Sequence, residues 1–190
     1  MNNIDNGTLF TIVKQHDELM SILSFIQGYH HLNIYIGAGL IRNITWAYLH
    51  DIDISIESSD IDLVYFDSED HNLMQYQSFT EHLQLQFPNI QWDITNQANV
   101  HQWYDKYFSK KIEAFSCLEE AIATWPETAT AVAIKLNNNN ELDIIAPFGL
   151  ADLLQMIIRW NPTLVDYAYY KKRIQQKQYS AQWPKVKIIY

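Results

Sequence analysis

The chain has 190 residues, 48% of them apolar, and its 13 Lys and Arg stand against 22 Asp and Glu for a formal net charge of −9. That is enough for one domain with a core of its own, cramped for two, and too apolar for a disordered chain. The single cysteine, Cys117, cannot form an internal disulfide, no charged-then-apolar leader opens the sequence, and no apolar run is long enough to span a bilayer, so a soluble cytoplasmic protein with no membrane role is expected.

The charge is unevenly spread. Residues 1–158 hold 6 basic and 21 acidic side chains, a net −15, whereas residues 159–190 hold 7 basic side chains and only Asp166, a net +6. An acidic body disfavours broad binding to a nucleic-acid backbone. The basic tail either neutralises the body or lines a phosphate-binding cleft, and neutralisation is the plainer expectation.

In chain order, apolar residues at Leu9, Ile12, Val13, Leu19, Ile22, Leu23 and Ile26 predict a helix that stops at Gly28. A short strand, Asn33 to Ile36, runs into Gly37-Ala38-Gly39, and a helix with Ile41, Ile44 and Tyr48 on one stripe follows to His50. After a polar loop (51–59), a strand spans Asp60 to Phe66. The acidic turn Asp67-Ser68-Glu69-Asp70 then caps a third helix, which ends near Phe87 before Pro88 and Asn89. A strand covers Ile90 to Thr95, and helices are expected over Gln97 to Phe108 and Cys117 to Ala123. Thr128 to Leu136 and Glu141 to Ile145 read as a hairpin around four asparagines, which tolerate positive φ. Gly149 to Trp160 and Asp166 to Gln178 read as helices, and the tail from Trp183 carries no clear signal. Helices alternating with short strands make this an α/β (α+β) chain.

Chemistry concentrates in Ser59-Asp60-Ile61-Asp62-Leu63-Val64-Tyr65-Phe66. Side chains at i and i+2 of a strand share a face, so Asp60 and Asp62 stand side by side. Like charges so close call for a cation between them, and a hard divalent ion with a phosphate substrate is the common use. Asp93 sits on the next strand. Gly37-Ala38-Gly39 precedes a helix, where a close backbone approach and free N–H groups suit phosphate, and Arg42 follows in the first turn.

The order of Ile36-Gly37-Ala38-Gly39, Asp60-Ile61-Asp62 and Trp92-Asp93-Ile94 resembles the DNA polymerase β-type nucleotidyltransferase superfamily. Gly37-Ala38-Gly39-Leu40-Ile41-Arg42-Asn43, Asn96-Gln97-Ala98, Trp125-Pro126-Glu127-Thr128, Ala146-Pro147-Phe148-Gly149-Leu150 and Trp183-Pro184 make it most similar to the short bacterial nucleotidyltransferase-like proteins. The resemblance implies a nucleotidyltransferase fold over residues 1–190: a small mixed sheet flanked by helices, with a core of about 8–110 and a C-terminal extension of about 115–190 that adds a hairpin and helices.

It implies an Mg²⁺-dependent enzyme that moves an NMP group from an NTP such as ATP to an acceptor hydroxyl. Asp60, Asp62 and Asp93 are then both the catalytic and the metal-binding residues for a pair of Mg²⁺ ions, with Mn²⁺ as a substitute. Gly37, Ala38, Gly39 and Arg42 take the nucleotide. The acceptor is open, a small molecule or protein being favoured over nucleic acid by the acidic body. Oligomeric state is open too. Two departures stand out. Ala38 replaces the superfamily's Gly or Ser, which removes a hydroxyl from the phosphate site, and 21 positions separate Gly39 from Asp60, a long gap that a surface loop absorbs. The alternative is a catalytically inactive nucleotide-binding or interaction protein on the same fold.

Other residues carry weaker signals. Asp53, Glu57 and Asp67 read as solvated surface. His30 and His31 point apart, and His16, His50, His71, His82 and His101 lack zinc spacing. Asn96 and Gln97 either read a base or ribose or cap the next helix. Lys106, Lys110 and Lys111 read as a solvated helix end. Glu127, Thr128 and Thr130 are singled out for the acceptor side by the family likeness alone.

Overall fold

The computed structural model describes residues 3–56, 60–69 and 73–190. Two helices, α1 (Asn3–Lys14) and α2 (Asp17–Gln27), stand where the periodicity predicts one. The break falls at His16, which is extended and accepts the Leu19 N–H on Nδ1, while Asp17 and Glu18 favour a new N-terminus there. Then come β1 (Tyr35–Gly37), α3 (Ala38–His50), β2 (Asp60–Tyr65), α4 (Leu73–Gln86) and β3 (Gln91–Asn96). The acidic-turn cap at Asp70, like Glu57, Ser59 and His71, lies outside the described residues.

The segment expected as one helix after β3 is a 3-10 turn, Gln97–Gln102, then α5 (Tyr104–Phe108), parted at the non-helical Trp103. Next follow α6 (Leu118–Ile122), a 3-10 turn at Thr128–Thr130, β4 (Ala133–Leu136) and β5 (Leu142–Ile145). The helix expected from Gly149 to Trp160 is shorter. α7 (Ala151–Leu154) ends before Met156, whose left-handed φ of 55° turns the chain, and the β-branched pair Ile157-Ile158 enters β6 (Ile157–Arg159). α8 (Tyr167–Lys177), α9 (Tyr179–Gln182) and β7 (Lys187–Ile189) follow.

Five strands form a mixed sheet in the order β3-β2-β1-β4-β5, in which only β2 and β3 run parallel. The asparagine hairpin therefore extends the sheet that carries the acids, with Asn140 at the positive φ (59°) that its turn requires. β6 and β7 pair in parallel as a second, two-stranded sheet.

Alternation along β2 decides which residues meet the core. Ile61, Leu63 and Tyr65 are buried with Ile36, Ile134 and the apolar stripes of α1, α2 and α3. The intervening Asp60, Asp62 and Val64 take the opposite face, where Val64 meets Tyr35, Ala133, Leu118 and Ile122 in a smaller cluster. Fully buried Trp46 of α3 donates its indole N–H to the Leu153 carbonyl at 2.8 Å, and the rings of Tyr179 and Trp183 pack edge-on against it at 6.1 and 6.2 Å. This packing fastens the tail to the helix that begins at the glycine turn. No described helix is long and apolar enough to cross a membrane.

Candidate active site

The three acids come together. The parallel register sets Asp62 directly opposite Asp93 and Asp60 opposite Gln91, and Asp60, Asp62 and Asp93 line one cleft of about 720 Å³. Asp60 and Asp93 are exposed and Asp62 is half-buried. Burial, and then the facing charge of Asp93, push the Asp62 carboxyl above the usual carboxylate range, with a smaller push from Asp60. The Gly39 N–H, which donates to Asp62, and the Arg173 charge pull the other way. Thr95, two residues beyond Asp93 on the same face, donates its hydroxyl to Asp93 Oδ1 at 3.0 Å.

The glycine turn is built by close packing. A Cβ on Gly37 would lie 2.7 Å from a ring carbon of Trp125, so only glycine lets the strand pass that indole. Ala38 takes a left-handed φ of 55° and donates its N–H to the Val132 carbonyl at 3.0 Å. That conformation costs an alanine about 1 kcal/mol, and strain of this kind gathers at functional sites. Ala38 and Gly39 line the cleft with the acids, whereas Gly37 packs against Trp125 and is not among its lining residues; the Gly39 donor is engaged by the Asp62 carboxylate.

Arg42 also lines the cleft but is only 6% exposed. Its guanidinium donates to Asn43 Oδ1 at 2.8 and 3.2 Å and to the Tyr179 hydroxyl at 3.2 Å, and it lies over the Tyr179 ring at 4.9 Å. Burial pulls its pKa down. The forked contact expected from this side chain goes in part to protein groups.

Two cations that the sequence reading did not single out face the acids. Arg173 and Lys177, both on α8, line the same cleft. Arg173 is held by the fully buried Glu127 (Nε to Oε1 2.5 Å), whose other oxygen accepts the Thr130 hydroxyl at 3.0 Å. Burial opposes the charge on Arg173, but Glu127 outweighs it and holds the guanidinium pKa above its ordinary value. α8 itself was expected from the sequence, but the only signal for a cleft role of its cations was the excess of basic residues in the tail.

Among the described residues no three His, Cys, Asp or Glu side chains gather as a ready-made metal cage. Even so, the cleft's carboxylates are hard oxygen donors that repel one another, a set that suits Mg²⁺ held together with substrate phosphate.

The remaining candidates lie elsewhere or serve the frame. Asn96 Oδ1 accepts the Ala98 N–H as a helix cap, whereas Gln97 is buried. His101 Nδ1 lies 2.9 Å from the Ala98 carbonyl, Lys110 donates to the Leu164 carbonyl, and Thr128 donates to Asp152, which also holds Arg159.

Solved structures share this architecture. One, described as revealing a CCA-adding enzyme head domain, superposes with a TM-score of 0.76 at 24% identity, over 95% of this chain and 94% of that one. The Thermotoga maritima CCA-adding enzyme complexed with tRNA gives 0.60 at 18% identity, over 97% of this chain and 42% of that one. A CCA-adding enzyme complexed with CTP gives 0.59 at 18%, over 97% and 43%. The chain therefore spans less than half the length of those two enzymes, and at these identities the likeness is one of fold. No curated protein matches the chain. A family model described as nucleotidyltransferase matches residues 26–188, most of the chain, and the chain therefore belongs to this nucleotidyltransferase family.

Proposed function

We propose that the chain transfers an NMP group from an NTP to an acceptor hydroxyl, with Mg²⁺ as cofactor. One observation carries the reading: three carboxylates and the cations Arg173 and Lys177 line a single cleft at the N-terminus of α3. Asp60, Asp62 and Asp93 hold the metal, which when bound supplies Lewis-acid stabilisation to the phosphoryl oxygens. Arg173 and Lys177 draw in the β- and γ-phosphates and offset the charge that builds on the departing pyrophosphate. Asp93, oriented by Thr95, accepts the acceptor's hydroxyl proton as the new O–P bond forms and the bond to the β-phosphate bridge breaks. Ala38 and Gly39 bring backbone close to the nucleotide, Gly37 lets the strand pass Trp125 into that turn, and Arg42 lies in the same cleft.

CTP, ATP and tRNA appear with the CCA-adding enzymes, so an RNA acceptor belongs in any screen. The acidic body still favours a small molecule or protein acceptor in a reducing cytoplasm. A second reading, nucleotide binding without turnover, is favoured by one feature: the Gly39 N–H is spent on Asp62 rather than left for a phosphate.

Incubation with each labelled NTP, Mg²⁺ and cell extract, followed by separation of labelled products, tests transfer. The expected result is label in an acceptor with wild-type protein and none with Asp60→Ala or Asp62→Ala. Equal labelling by wild type and variants would overturn it, and NTP binding by calorimetry without any turnover would select the second reading.

A further inference from the structure

The sheet face that carries the acids continues past them. Beyond Asp62 on β2 comes Val64, and beyond Thr95 on the β3 side comes Gln97. With Trp103, Tyr104, Trp125 and Tyr169 they surround a second cavity of about 240 Å³ that shares Ala38 and Asp62 with the cleft. Its walls are aromatic, Tyr104 and Phe108 stacking at 4.4 Å and Phe108 meeting Tyr169 edge-on at 5.6 Å. Among the described residues Asp62 is the only charged one that lines it.

Gln97 is 7% exposed and borders this cavity; among the described residues no protein hydrogen bond engages its side-chain amide, which is not one of the buried polar groups shut off from solvent. Its neighbour Asn96 is fully engaged, its amide donating to the Asp67 carbonyl at 2.8 Å and its oxygen accepting the N–H groups of Asp67 and Ala98. The Gln97 amide therefore keeps a donor and an acceptor available to a ligand in the cavity. Flat aromatic walls, a lone amide that both donates and accepts, and no cation make a site for an uncharged heteroaromatic ring.

We propose that this cavity binds the nucleobase of the NTP whose phosphates lie in the adjoining cleft, and that Gln97 reads the edge of the ring. The proposal rests on the nucleotidyl-transfer reading and deepens it. The Asp62 carboxylate at the junction stands where the sugar and α-phosphate of one such molecule would pass between the two spaces.

Calorimetry in Mg²⁺ with ATP, GTP, CTP, UTP and inorganic tripolyphosphate tests it, on wild type, Gln97→Leu and the rim variant Trp103→Ala, each first checked for cooperative melting. At least one NTP should bind the wild type about ten-fold or more tighter than tripolyphosphate, and both variants should lose most of that margin while binding tripolyphosphate as before. Tripolyphosphate binding as tightly as every NTP, or both variants binding NTPs like the wild type, would sink the nucleobase pocket alone. Failure of the wild type to bind either NTP or tripolyphosphate would bring down the transfer reading as well.

Discussion

Glu127, fully buried, and Arg173, reaching into the cleft from α8, stand 2.5 Å apart across 46 residues of sequence. The pair ties the basic tail to the segment that leads into β4. Among the described residues it is the one ion pair that Glu127 makes; its other carboxylate oxygen accepts the Thr130 hydroxyl, and the Arg42 charge acts on it without a direct bond.

Arg173→Met should therefore destabilise the fold by about 3 kcal/mol, because it strands a buried carboxylate. Glu127→Gln in the same background should recover part of that loss without restoring NTP binding. Urea midpoints measured at unchanged m, beside NTP titrations, separate the structural from the electrostatic effect.

Asp62→Asn should abolish transfer yet raise the melting temperature of the ligand-free protein by a few degrees at neutral pH. The sign follows from the direction of the shift. The folded chain holds this proton more tightly than the unfolded one, so above the raised pKa the ionised carboxylate subtracts stability. As pH falls through the raised value toward the ordinary carboxylate range, the folded form protonates first and the penalty is relieved. The gap between wild type and Asp62→Asn should accordingly narrow on acidification, which melting curves across a pH series would show.

Gly37→Ala should cost about 1–3 kcal/mol, since its Cβ would press on the Trp125 ring. Trp125→Leu in that background should return much of the loss. Ala38→Gly relieves a left-handed alanine while adding chain entropy to the unfolded state, so its stability should stay within about 1 kcal/mol of wild type. Denaturation of all three variants checks the geometry of the turn.

Mg²⁺ with ATP should raise the wild-type melting temperature, by mass action worth about 2.7 kcal/mol at a hundred-fold excess over Kd. EDTA should cancel the rise, and Asp60→Asn or Asp93→Asn should blunt it. A rise of the same size in those variants would separate the acids from ligand binding.

The acids were legible in the sequence because strand alternation is local: Asp60-Ile61-Asp62-Leu63 announces which side chains turn from the core. The glycine turn before a helix was legible for the same reason. The break at His16 was missed because the apolar stripes of α1 and α2 stay in phase across it, and the cue is one capping side chain. The strand at Ile157 was missed because its partner, β7, lies 30 residues on. Arg173 and Lys177 were invisible as site residues, since charge on an isolated amphipathic helix does not say what it will face.

Because α8 supplies the cations and earlier strands supply the acids, the order of synthesis matters. A ribosome that has released residues 1–130 has delivered Asp60, Asp62, Asp93 and buried Glu127, but neither Arg173 nor Lys177. The acids are thus made before the cations that face them, and cations in the surrounding solution are expected to screen their repulsion until α8 docks. Refolding rate should then rise with ionic strength more steeply than unfolding rate falls.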